Sequence, residues 1–378
     1  MLVTMRGLWL TLLIAACDNG SSSTIDGNGG GDDDAPMIDG STQPTRFVAY
    51  VSGGTDINWY DVDKSTGALS SISSIAAFRT GANFLAFHGN YLYAVTSGNR
   101  VGGYSIDPAT AALTFINDVA SGGTGPAHVA IDHTGKYVFT ANYGSGHIAV
   151  MPVQTGGMLA AASQTILAGA MAHQIDTDPS NKFVVVPCLG DDKVAQYTFN
   201  ASTGTLTANA VAQLDTANGA GPRHITFTPD GKRAYLINEV NSTLSALAFD
   251  TTTGRLSEIQ TVSTRASGAT GTNTTAEVLV HPNGKFVYGS NRGDNNIVVF
   301  ALDAGTGMMT LVEHESTQGM TPRNFTIDPS GTLLYAANQN SNNVVPFKID
   351  PTTGKLSPTA SPITVPTPQF VGIIALPL

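Results

Sequence analysis

Of the 378 residues 42% are hydrophobic and only 12% charged, and the formal net charge is −10. Six aspartates (Asp18, Asp26, Asp32, Asp33, Asp34 and Asp39) and one base, Arg6, precede residue 46, so the remainder carries 22 acids against 17 bases. That balance excludes the basic footprint of a nucleic-acid partner, and short apolar runs broken by Gly, Pro, Asp and Asn, with no long stretch at helical period, predict an all-β chain.

In chain order, Arg6 is followed by the apolar run GLWLTLLIAA and then Cys17. The run is too short to cross a bilayer and suits the core of a signal peptide. Ile14-Ala15-Ala16-Cys17 resembles the bacterial lipobox, which predicts a lipoprotein signal peptide over 1–16 and a lipidated Cys17. Residues 17–45 are rich in Gly, Ser, Asp and Asn, so they are expected to form a disordered, low-complexity tether. The implied location is the bacterial cell envelope, on the periplasmic or surface side, with membrane contact through the lipid anchor alone. Cys188 is then the single thiol of the mature domain, and no intramolecular disulfide can form.

From residue 46 onward a two-part signature recurs seven times. One part is a turn and an apolar strand that ends on an aromatic: HTGKYVF at Phe139, PDGKRAY at Tyr235, PNGKFVY at Tyr288 and PSGTLLY at Tyr335, with weaker copies at Tyr50, Tyr93 and Val185. The other is a TGxL-like hairpin whose leucine position falls at Leu69, Leu113, Leu159, Leu206, Leu256, Met309 and Leu356. Both series advance in step by about 43 to 53 residues, the length of a propeller blade. Residues 46–378 are therefore predicted to form a seven-bladed β-propeller with four-stranded antiparallel blades. FVAYVSGG (47–54) matches a second strand and PQFVGIIAL (368–376) a first strand, so the two are expected to pair and close the ring.

In a propeller the first strand of each blade lines the central channel and the second returns beside it. Folding back at PDGK (229–232) and PNGK (282–285) sets Arg223-His224 opposite Asn238-Glu239, and Ala276-Glu277 opposite Asn291-Arg292. It likewise sets His128 beside Asn142, His173 beside Cys188, and Asn324 beside Asn338. One position per blade gives the ring Asn83, His128, His173, His224, Glu277, Asn324 and Phe370. In a wide, hydrated channel such a ring can merely satisfy strand ends and water. Arg223, Arg292 and Arg323 gathered with carboxylates point further, because guanidinium groups hold anions and oxyanions. His, Glu and Arg together suit hydrolysis of an anionic lactone, in which a neutral base activates water and fixed cations bear the developing charge. His173, Arg223, Glu239 and Arg292 are the expected catalytic set. His128, Asn142, His224, Glu277, Asn291, Arg323 and Asn324 are expected to bind and orient the substrate. HExxH, Walker, GxSxG and paired-Cys motifs are absent, so neither a metal nor another cofactor is indicated.

The stretches GAGPRHITFTPDGKRAYLINE (219–239), AEVLVHPNGKFVYGSNRG (276–293) and TPRNFTIDPSGTLLYAANQNSNNVVPFKIDPTTGKL (321–356) resemble the seven-bladed propeller lactonases typified by bacterial 6-phosphogluconolactonase. These are related to the fungal carboxy-muconate lactonising enzyme, in which one His, two Arg and one Glu are proposed to act. By motif the resemblance implies Arg223 of GPRH, Glu239 of NE, Arg292 of NRG, and His173 opening the DPSNKF blade. One blade departs: Met171-Ala172-His173 stands where the family has a His-Pro-His run, and Cys188-Leu189-Gly190 where Asp-Leu-Gly is common. A cytoplasmic, phosphorylated lactone also fits poorly with an exported chain, so the resemblance implies lactone ring opening and leaves the substrate open. The expected mechanism has His173, or Glu239 if burial raises its pKa, activate water while Arg223 and Arg292 bear the charge. The alternatives are a non-catalytic binding or scaffold propeller and a muconate-type lactonising enzyme with Glu239 as the acid. The chain is expected to act as a monomer.

Overall fold

The computed structural model describes residues 45–78 and 81–378. The expected signal peptide, Cys17 and the expected tether before Thr45 lie outside the described residues. The described chain forms seven antiparallel sheets, six of them built of strands taken consecutively from the sequence. In order the blades are 45–76, 82–120, 126–167, 172–215, 222–263, 275–316 and 322–364. First strands adjoin one another at five of the seven junctions, and the fourth blade meets its neighbours through Asn181 on Asp132 and Gln174 on Ile225, so the sheets close into the seven-bladed propeller that the repeats predict. Six sheets have four strands. In the last blade the outer strand is split into Leu356–Pro358 and Ile363–Thr364, both paired with Asn343–Ile349.

The first blade is assembled from both ends of the ring. Pro368–Pro377 is its innermost strand and pairs with Thr45–Gly53, aligning Phe47 with Ala375 and Val51 with Val371. Thr45 lies opposite Pro377, at the far end of the blade from the Gly53–Pro368 pair.

Inner strands read as continuous apolar runs rather than alternating ones, and the packing explains why. Phe183–Cys188 and Leu333–Asn338 are buried at every residue, because both faces of a blade are covered by its neighbours. Outer strands, such as Thr205–Asp215, are largely exposed.

The two halves of the sequence repeat meet across blade junctions. Tyr50, Tyr93, Tyr235, Tyr288 and Tyr335 each donate a hydroxyl hydrogen bond of 2.8–3.0 Å to a carbonyl in the next blade's hairpin, at Ala111, Gly157, Gly307, Gly354 and Gly67 respectively. At the other two junctions Tyr137 and Phe183 lie flat against Gly204 and Gly254, whose φ values are +70° and +68°. A Cβ at either glycine would come within 2.1 Å of the ring, so both conformation and contact demand glycine there. A second clamp joins side-chain amides to the leucine position: Asn117 to Leu159, Gln164 to Leu206 and Gln260 to Met309, each amide donating to the carbonyl and accepting from the N–H.

The inner turns are closed by carboxylates. Oδ1 of Asp132, Asp178 and Asp328 accepts two backbone N–H bonds from residues four and five further on. These aspartates are thus turn caps rather than channel groups.

Candidate active site

Every first strand enters its blade with the same irregularity. The register shifts by one residue between Pro222 and His224, between Pro126 and His128, between Pro322 and Asn324, and between Ala82 and Phe84. This bulge frees one residue per blade from the ladder and turns it toward the opening. Blade by blade the freed residues are Asn83, Ala127, His173, Arg223, Ala276, Arg323 and Gln369. The next residue inward is Phe84, His128, Gln174, His224, Glu277, Asn324 or Phe370.

The ring expected from the sequence therefore needs correcting in two blades. Asn83 and His173 belong to the upper, bulged tier, and Phe84 and Gln174 occupy the lower one. The pairings move by one residue as well: His128 lies opposite Ala141, His224 opposite Ile237 and Asn324 opposite Ala337. Phe84 was missed because the bulge cannot be seen in single strands. Aligning the apolar residues that follow (Leu85, Val129, Ile175, Ile225, Val278, Phe325 and Val371) would have revealed it.

The channel is also not the wide, wet passage expected. Phe84 packs across the axis against His128, His224 and Phe370, with ring centroids 4.1, 5.8 and 4.6 Å away. Arg223 is 2% exposed, His224 1% and Glu277 2%. These rings form a floor, and a cavity of about 40 Å³ lies deeper along the first strands, bounded by Phe84, Phe87, Phe370, Glu277 and Asn324.

Above the floor, Glu239 joins two arginines. Its Oε2 is 2.9 Å from Arg223 Nε and its Oε1 2.9 Å from Arg292 Nη2. Arg223 also donates to the carbonyl of Ala276, and Arg292 to that of Thr275, which fixes both guanidinium groups to the neighbouring first strand. Glu239 thus has a cation against each oxygen, and its side chain is 21% exposed. Half-buried Arg323 makes no ion pair or side-chain hydrogen bond among the described residues. Burial and then the nearby Arg323 push Arg223 down to about 9, which still leaves a cation at neutral pH.

Within the floor, His224 Nδ1 lies 2.7 Å from Glu277 Oε1, and Asn324 donates to Glu277 Oε2 at 2.6 Å. Asn324 Oδ1 in turn accepts from the N–H of Val371, and Gln174 exchanges two bonds with the backbone of Ile225. Burial acts to raise the Glu277 pKa, but His224, Arg223 and the Val278 N–H outweigh it and the group sits below its ordinary value. Burial holds His128, His173 and His224 below the ordinary histidine value, reinforced by His224 and Arg223 at His128 and by Arg223 and then His224 at His173. His173 and His224 have ring centroids 5.1 Å apart, and half-buried Tyr143, which sequence reasoning did not single out, packs edge-on against His173 at 5.6 Å.

Two predicted substrate ligands are placed elsewhere. Asn142 donates to the carbonyls of Ser121 and His147. Asn291 donates to the carbonyl of Thr264 and to Asn296, and accepts from Thr264 and Asn273. Both latch the loop that connects one blade to the next, as Asn338 does on Thr317, so they are scaffold rather than lining. The structure brings together His173, Arg223, Glu239, Arg292, Arg323, His128, His224, Glu277 and Asn324.

The 6-phosphogluconolactonases of Pectobacterium carotovorum and Yersinia pestis are each 33% identical over 196 residues, which is 52% of this chain. The chain matches 58% of the length of those curated relatives. Among solved structures, the periplasmic gluconolactonase of Pseudomonas aeruginosa is 27% identical with a TM-score of 0.82, covering 88% of this chain and 100% of that one. A Lactobacillus plantarum protein is 30% identical with a TM-score of 0.80, covering 87% and 99%. The family model described as "Lactonase, 7-bladed beta-propeller" matches residues 43–373, the whole ring with its floor and its arginines, and this chain belongs to that family.

Proposed function

We propose that this protein hydrolyses a sugar lactone of the aldonolactone class in the bacterial cell envelope, held there by a lipidated Cys17. The observation that carries the reading is the Arg223–Glu239–Arg292 clamp, set directly above buried neutral imidazoles with Arg323 uncompensated beside it. Three cations against two carboxylates suit an ester carbonyl that becomes an oxyanion, together with an anionic or polyhydroxylated substituent. The substrate carbonyl lies against Arg223 and Arg292, which gain most when charge appears on its oxygen. Glu239 keeps both guanidinium groups in place, and Arg323 orients the rest of the ring, while Asn324 holds Glu277 in the floor. A neutral imidazole takes a proton from water; His173, nearest the opening, is the one indicated by the motif. The names of the relatives, 6-phosphogluconolactonase and periplasmic gluconolactonase, support the reaction class and an extracytoplasmic location.

The experiment is acid release followed by pH-stat on purified protein with glucono-1,5-lactone and its 6-phosphate. Wild-type protein is expected to hydrolyse one or both. Arg223→Ala and Arg292→Ala should each reduce the rate by about 10²-fold or more, as when an oxyanion donor is lost. A wild-type protein inactive on every aldonolactone tested, with and without phosphate, would falsify the reading. Cell fractionation tests the anchor: Cys17→Ser should move the protein out of the membrane fraction, and wild-type protein found in the cytoplasm would remove the envelope assignment.

A further inference from the structure

Three imidazoles meet in the site, His128 and His224 in the floor and His173 in the tier above it, and a hydrolysis needs one of them to carry a proton. We propose that the proton acceptor is His224, oriented by Glu277, rather than His173. This rests on the lactone hydrolysis proposed above.

The three rings differ in what would support a positive charge. His173 has no carboxylate in contact, and Arg223 and Arg323 both oppose its protonation. His128 packs on Phe84, and neither of its ring nitrogens has a partner. His224 alone has an anion at hydrogen-bond distance: Glu277, itself held by Asn324 and by the Val278 N–H. The charged groups facing His224 are Glu277, which favours the imidazolium, and Arg223 and Arg323, which disfavour it; His128 and His173 face it as neutral rings. With the proton on Nδ1 donated to Glu277, Nε2 must present a lone pair. That atom is buried and has no partner in the protein, which is the environment an ordered water reached from the mouth would satisfy. The arrangement is the carboxylate–imidazole pair that fixes tautomer and stabilises the imidazolium in acyl-transfer sites.

The step balances without a further reactant. A water O–H bond breaks, its proton passes to His224 Nε2, and the water oxygen bonds the lactone carbonyl carbon as the carbonyl electrons move onto oxygen beside Arg223 and Arg292. Collapse of that oxyanion breaks the ring C–O bond, and the imidazolium returns the proton to the departing alkoxide. Glu277 is a positioning residue here, since it touches neither water nor lactone.

The test combines kinetics on His224→Gln, Glu277→Gln and His173→Gln with nitrogen NMR of the histidine rings in the wild-type protein. His224→Gln and Glu277→Gln should each lower kcat by about 10²-fold or more with KM little changed; His224→Gln should lose the acidic limb of the pH–rate profile, and Glu277→Gln, which removes the anion favouring the imidazolium, should move that limb to lower pH. His173→Gln should act mainly on KM and keep that limb. Near neutral pH the wild-type spectrum should show His224 protonated on Nδ1 and bare on Nε2, becoming a tautomer mixture in Glu277→Gln. The inference is overturned if the acidic limb disappears in His173→Gln alone, or if wild-type His224 carries its proton on Nε2. Because the spectrum needs no substrate, it still decides the state of His224 if the protein hydrolyses no lactone and the functional reading falls.

Discussion

His128 is buried at the centre of the ring, its two nitrogens unpartnered, and burial followed by His224 and Arg223 holds it well below the ordinary histidine value. A histidine with a depressed pKa binds fewer protons in the folded state than in the unfolded one. Its contribution to stability is therefore complete above the unfolded value of about 6.5 and is lost as pH falls below it, by about 1.4 kcal/mol per pH unit for each such group. His173 and His224 share the direction, so the ring should weaken steeply toward acid. His128→Phe, which keeps an aromatic against Phe84, should remove one histidine's share of that slope; urea midpoints measured at several pH values check it, and an unchanged slope would show that His128 titrates normally. Arg223 and Arg323 separate stability from function in the same way. Arg223 is buried against Glu239 and the Ala276 carbonyl, so Arg223→Ala should lower both catalysis and melting temperature. Arg323 has no ion pair or side-chain hydrogen bond among the described residues, and burial and then Arg292 disfavour its charge while Glu239 and Glu277 favour it, so Arg323→Ala should raise KM by about tenfold while leaving the melting temperature unchanged or slightly higher.

Where blades meet, three junctions carry an amide that both donates to and accepts from the next blade's leucine position, whereas the sixth offers Glu313, which accepts from the Leu356 N–H and cannot donate. Glu313→Gln should supply the missing donor and stabilise the ring by about 0.5–1.5 kcal/mol, read as a higher urea midpoint at constant m; a lower midpoint would mean that the carboxylate itself is preferred. The repeat that revealed the blades in the sequence is the visible trace of such contacts. Tyrosine and hairpin recur together because one hydrogen bond joins them at five of the seven junctions, and that made blade number, blade boundaries and the closing pair of strands readable. The site was legible only in its residue types. Arg223, Glu239 and Arg292 stand in recognisable motifs, but which tier each residue occupies depends on a one-residue bulge that pattern alone does not reveal. For that reason Asn83 displaced Phe84 from the expected ring, and the aromatic floor went unseen. Asn142 and Asn291 misled for a related reason: a polar side chain at the end of a second strand can serve a loop carbonyl as readily as a substrate.

The whole ring is closed by Pro368–Pro377 lying against Thr45–Gly53, so no blade has a free inner edge. Deleting residues 366–378 should expose the strand Thr45–Gly53 and leave Asn324 Oδ1 without the Val371 N–H, with aggregation or a broadened unfolding transition as the result. Size-exclusion chromatography and calorimetry check this, and a truncated protein that melts as the full chain does would show that closure contributes nothing. Propeller geometry also separates the two ends of the ring from the chemistry. Thr45 and Pro377 pair on the side of the disk opposite the Gly53–Pro368 pair, and the arginine clamp opens on the latter side. A resin bead, a sensor surface or a fused protein attached directly before Thr45 or after Pro377 would stand behind the disk, leaving the path of a diffusing small molecule to Arg223 and Arg292 unobstructed.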